Sequence, residues 1–168
     1  LDTNIFGVTF FQPNQSFVEK PEIESIGCAA EVRESQTLPD GRSNVLTIGL
    51  ARYRLIDYVD AGEPYFVGDV EFFEDFEEDA ALIQPISDEV FTLFERIASA
   101  AHKLSGERGA FPAIPQAEPE ALSFLITAAF NLETSIKYEL LETRSTYRRL
   151  TQLYEILKDA VVKMEDSA

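Results

Sequence analysis

QTLPDGRSNVLTIGLARYRLIDY, residues 36–58, is a long β-prone run interrupted once, near its start, by Pro39-Asp40-Gly41. Pro39 presets φ, Asp40 carries a side chain that bonds the local backbone, and Gly41 is free to take positive φ, so the three residues spell a turn. Before the turn, Ile26, Ala30 and Val32 lie in a β-rich run; after it, Val45, Ile48, Leu50, Tyr53, Leu55 and Ile56 supply another. The pattern predicts a long antiparallel hairpin. Gly49 falls inside the second arm, where a glycine predicts a bulge or a bend. A strand bent there can pair with one neighbour before the bend and another after it.

Two more strands flank the hairpin. IFGVTFF (5–11) ends at QPNQS, and YFVGDVEFF (65–73) follows the turn DAGEP (60–64). Four strands with bend signals predict a strongly curled sheet or small barrel. Past residue 80 the apolar period changes from two to 3.6. Val90, Phe91, Phe94, Ile97, Ala98, Ala101 and Leu104 make one face of a helix over 85–104, with Ser87 and Asp88 as its N-cap and first-turn residues. A Gly/Pro-rich connector (105–119) leads to a second helix from Pro119 to about 131 and a short third over 134–142. The last helix spans 145–163, with Tyr147, Leu150, Tyr154, Leu157, Val161 and Met164 on one stripe. The chain is expected to be α+β: a β-rich part, 1–80, then a helical bundle, 81–168, divided between Asp75 and Pro85.

The 168 residues carry 30 acidic against 14 basic side chains, a formal net charge of −16. Nucleic-acid binding rests on Lys and Arg neutralising phosphates, so that class is excluded, and an anionic membrane repels the same surface. No apolar run reaches the roughly 18–20 residues of a spanning helix, and no signal-peptide pattern opens the chain. Leu1 is no initiator and the one Met is Met164, so the chain reads as a piece of a longer product. The acid peaks in DVEFFEDFEED (69–79), seven carboxylates in eleven residues. It reads as a solvated strand end and loop; cation binding is the lesser reading, against which an EF-hand's loop glycine and closing Glu are missing. A single cysteine, Cys28, leaves no internal disulfide and fits a reducing compartment: cytoplasm, with an organelle stroma or matrix as the alternative.

Catalytic signals are missing. One histidine, His102, cannot supply an HExxH site, and with Cys28 it cannot complete a Cys/His zinc site. There is no GxxxxGK[ST] loop, no GxGxxG and no GxSxG elbow. The chain therefore reads as a non-enzyme with no metal and no cofactor. Its one positive oddity is aromatic: 13 Phe and 6 Tyr, with Tyr65, Phe66, Phe72, Phe73 and Phe76 grouped in one stretch. Alternation puts Phe66 and Phe72 on one side of the strand and Tyr65 and Phe73 on the other. One side packs inward. The other is either covered by the helical half or forms an exposed apolar surface for a polypeptide.

Six motifs stand in the order and spacing of a known family. FGV (6–8), IGCAAEV (26–32), LPDGR (38–42), GLARYRL (49–55), PYFVGDVE (64–71) and ELLETRSTYRRLTQL (139–153) resemble the Lon substrate-binding domain family. The resemblance implies a PUA-like β-rich pseudo-barrel followed by a helical bundle, with Gly41 serving the turn and Gly49 the bend. It departs at the start, where the family's Pro- and Leu-rich strand and amphipathic segment are missing. It departs again at the end, where full Lon proteases continue into ATPase and Ser-Lys protease domains. The implied role is that of a stand-alone, non-catalytic recognition module for unfolded or partly folded polypeptides, working beside a protease or chaperone. Tyr65, Phe66, Phe72, Phe73 and Phe76 are the candidate surface. The competing expectation is an assembly module, with the last helix docking another domain or a second copy as a homo-oligomer.

Overall fold

The structure is a computed structural model and describes residues 4–10, 20–104 and 116–166. The expected turn at QPNQS and residues 105–115 of the connector lie outside the described residues. Two compact units form, Leu1–Glu74 and Asp75–Ala168.

The first unit is built on the hairpin. β1 (Ile5–Thr9), β2 (Ile26–Thr37), β3 (Ser43–Val59) and β4 (Val67–Phe73) make one antiparallel sheet in chain order. Gly41 sits at φ +85° in the β2–β3 turn, where a Cβ would be strained. The turn is closed by Gly41 N–H on the Leu38 carbonyl (3.0 Å) and Leu38 N–H on the Arg42 carbonyl (2.7 Å). Asp40 accepts from the Arg42 backbone (3.1 Å) and from its Nε (2.8 Å), and the guanidinium holds the carboxyl below its ordinary pKa.

The bend predicted at Gly49 is a bulge. Ala29 faces Ala51 and Ala30 faces Gly49, so Leu50 has no partner on β2. Further bulges leave out Arg33 on β2 and Ile56 on β3. β2 pairs along β3 on both sides of the Leu50 bulge, whereas β4 pairs only beyond it, from Arg52 to Val59. β1 reaches only Gly27 to Glu31 of β2. Each bulge adds local twist, which gives the curl that the glycines predict. Among the described residues the four strands form one antiparallel sheet in which β1 and β4 do not pair with each other. Among its described residues the buried apolar side chains are Ile26, Ala30, Tyr53 and Leu55.

The second unit is helical: α1 (Ala80–Leu104), α2 (Pro119–Ala129), α3 (Thr134–Glu142) and α4 (Thr146–Asp166). Val90, Leu122, Ile126, Leu140, Leu150, Leu153 and Leu157 form its core. α4 turns the expected stripe into this core: Leu150, Leu157 and Val161 are buried, and Tyr154 packs against it. Tyr147 remains 44% exposed. α1 begins well before the expected start. Asp79 caps it, accepting Ala81 N–H on its carboxylate (2.9 Å) and Leu82 N–H on its carbonyl (2.9 Å). Pro85 therefore lies inside the helix, early enough that its missing N–H removes one bond and spares the rest. Ser87 is a buried helix residue and not a cap, and Asp88 accepts from the side chains of Gln84 and Gln116.

The acidic stretch is also more than solvated loop. Asp79 caps α1, Glu78 accepts from Ser145 Oγ (2.6 Å) and Tyr147 N–H (3.2 Å) at the start of α4, and Asp75 is an internal ion-pair partner. That partner is Arg149, whose side chain is fully buried. Its Nη1 and Nη2 donate to the two Asp75 oxygens at 2.9 and 2.5 Å, its Nε to Ser123 Oγ at 3.0 Å, and Nη1 also to the Thr143 carbonyl at 2.7 Å. Nη2 reaches Thr146 Oγ1 at 3.0 Å, and the Phe124 ring lies 4.3 Å from the guanidinium carbon. A buried charge is tolerated only with such saturation. Asp75→Ala is expected to destabilise the helical unit by about 3–5 kcal/mol, because an unpaired guanidinium stays buried. Urea denaturation followed by helical circular dichroism checks this; a loss below about 1 kcal/mol contradicts it.

Candidate functional site

Tyr53 organises the exposed side of the sheet. It faces Gly27 on β2, and its ring takes the space that a side chain on Gly27 or Gly7 would fill. A Cβ on Gly27 would lie 2.4 Å from Tyr53 Cζ and 2.6 Å from the Val8 carbonyl; one on Gly7 would lie 2.6 Å from the phenol oxygen. The phenol reaches over β2 to share a 2.7 Å hydrogen bond with Thr9 Oγ1 on β1. From the other side Phe72, its partner on β4, meets the ring edge-on, with centroids 6.3 Å apart and planes at 87°.

Around Tyr53 runs a groove of about 380 Å³. Ile5 and Phe6 line it from β1, Leu55 and Tyr58 from β3, and Val70 and Phe72 from β4, with Phe66 just before β4. Its wall is apolar yet open to solvent: Phe66 is 58% exposed, Phe72 60% and Phe6 42%. At one end Tyr58 and Phe66 meet edge to face, 5.8 Å apart at 67°. Tyr58 Oη donates to the Pro21 carbonyl at 2.7 Å. Partial burial, with Tyr53 nearby, raises its pKa above the ordinary phenol value of 10.0.

The five aromatics expected at the site do not share it. Phe66 and Phe72 line the groove together with Gly68 and Val70, the alternation expected of the strand. Phe73 is half-buried and pairs opposite Arg52, whose guanidinium lies 4.9 Å from its ring. Tyr65 is exposed and outside the groove lining. Phe76 belongs to the helical unit, with its ring 4.4 Å from the Arg144 guanidinium carbon and its N–H on the Arg144 carbonyl. Ile5, Phe6, Tyr53 and Tyr58 were not among the expected site residues. The alternation of Tyr53 and Leu55 with Arg52 and Arg54 was the available signal for β3. Among the described residues no group of three or more His, Cys, Asp or Glu side chains gathers to hold a metal ion, and no helix is long and apolar enough to cross a membrane.

A bulged four-stranded antiparallel sheet followed by a helical unit is the fold of Lon N-terminal domains. The N-terminal domain of Mycobacterium avium complex Lon protease superposes with a TM-score of 0.60 at 16% identity, covering 94% of this chain and 91% of that one. The Xanthomonas campestris Lon N-terminal domain protein gives 0.53 at 14%, covering 89% and 87%. The chain belongs to the ATP-dependent protease La (LON) substrate-binding domain family, whose model matches residues 2–159. It is similar to the Lon protease of Brevibacillus choshinensis, 29% identical over 146 residues, 84% of this chain and 18% of that protein. The Lon proteases of Dictyoglomus thermophilum (30% over 139 residues; 81% and 17%) and Solibacter usitatus (29% over 163 residues; 97% and 20%) are similar in the same way. The chain thus spans about a fifth of the length of these proteases.

Gly27→Ala tests whether Tyr53 holds the groove. The added methyl would meet both the buried Tyr53 ring and the Val8 carbonyl, so the variant is expected to lose about 1–3 kcal/mol. Thermal unfolding read on the sheet signal checks it, and an unchanged midpoint contradicts it.

Proposed function

We propose that this chain is a non-catalytic recognition module that holds an extended apolar stretch of an unfolded or partly folded polypeptide along the groove of its sheet. The observation that carries the reading is the groove wall: Phe66 and Phe72 are more than half exposed, on a face organised by a buried tyrosine. Aromatic anchors in an apolar trough are what polypeptide binding uses, and among the described residues the outer edges of β1 and β4 offer main-chain hydrogen bonds to a strand laid beside them. Membership of the substrate-binding family supports the same role. Unfolded substrates of a protease or chaperone are the partner class, and the unpaired Cys28 favours the cytoplasm as setting.

The test is fluorescence anisotropy of a labelled, permanently unfolded polypeptide titrated with the chain, using the folded form of the same polypeptide as control. Saturable binding to the unfolded form alone is expected. Phe66→Ala and Phe72→Ala should each weaken it by about tenfold, near 1.4 kcal/mol, at little cost in stability because both rings are exposed. Phe76→Ala should leave it unchanged. Binding that ignores Phe66 and Phe72, or no binding, overturns the reading.

A further inference from the structure

We infer that the corner where Tyr58 and Phe66 meet is a cation subsite of the groove, built to take a lysine or arginine side chain of the bound polypeptide, with Lys20 as its resident occupant. The inference rests on the proposed polypeptide-binding role and adds a substrate class to it. Lys20 Nζ lies 4.6 Å from the Tyr58 ring centroid and 5.3 Å from that of Phe66, inside cation–π range of both faces. Among the described residues its ammonium forms no ion pair, so the two rings are its partners there. The rings are held by their own edge-to-face contact and by the Tyr58 bond to the Pro21 carbonyl, so the corner does not depend on Lys20 for its shape.

Charge argues for the same occupant. A chain of net charge −16 raises the local concentration of basic polypeptides. The groove wall itself is uncharged, so an incoming apolar segment brings a cation to rest only where π faces receive it. Lys20 is an exposed residue and its hold is a weak surface contact, which an incoming side chain displaces once the rest of its segment is seated. The corner therefore favours extended segments with a basic residue beside an apolar stretch.

Two labelled extended peptides test this with the intact chain: one apolar with a single lysine near one end, the other with norleucine in its place. The lysine peptide is expected to bind about two- to fivefold tighter, the range of an exposed cation–π contact. Lys20→Met should widen that ratio by removing the competitor, whereas Lys103→Met, the same charge change in the helical unit, should not. Phe66→Leu, and independently Tyr58→Leu, should abolish the preference while the norleucine peptide still binds. Equal affinity of the two peptides for the natural chain overturns the cation subsite alone. A lysine preference that survives both ring variants, or that Lys103→Met widens as much as Lys20→Met, overturns it as well. Saturable binding of neither peptide overturns the proposed function with it.

Discussion

The helical unit depends on one buried guanidinium. Arg149 gathers Asp75 from ahead of α1, Ser123 and Phe124 from α2, the Thr143 carbonyl at the end of α3 and Thr146 on its own helix. With no exposed surface it has no water to fall back on, so these groups must be in place together or the charge is stranded. The network thereby fixes how three helices and the segment before them meet, and the apolar core from Val90 to Leu157 fills in around it. Its polar capacity is spent internally, and nothing about it invites a ligand.

The sheet unit solves the opposite problem. Four strands with a small buried set leave large apolar side chains at the surface, and Tyr53 keeps them in order by lying over Gly27 and Gly7. Two glycines are needed because the ring crosses from β3 over β2 to reach β1. The result is a groove wall on which Phe6, Phe66 and Phe72 stay exposed. The helical unit buries a core of its own from Val90 to Leu157, whereas few described side chains of the sheet unit are buried.

Much of this was legible in the sequence where the determining chemistry is local. Pro39-Asp40-Gly41 makes its turn from neighbouring atoms, Gly49 stands beside the bulge it signalled, and period two placed Phe66 and Phe72 on one face. Local signals failed where they competed. Pro85 looked like a helix start, but Asp79 supplied a better cap upstream. The acidic stretch looked solvated because its partners, Arg149 and the start of α4, lie about seventy residues away in sequence. The site was half-legible for a similar reason. The bulge at Ile56 shifts the alternation of β3, so that Tyr58 joins Tyr53 and Leu55 on the groove face. A one-residue slip of that sort leaves no mark in composition or spacing. Phe76, adjacent to the strand aromatics in sequence, folds with the helices because Asp75 next to it is tied to Arg149.

The proposed role places a bound polypeptide on the sheet. Amide hydrogen exchange of the whole chain, with and without a saturating permanently unfolded polypeptide, addresses it most directly. Added protection confined to Ile5–Thr9 and Val67–Phe73, with the helices unchanged, is the predicted result. Protection that appears in α1–α4 and leaves β1 and β4 untouched would contradict it.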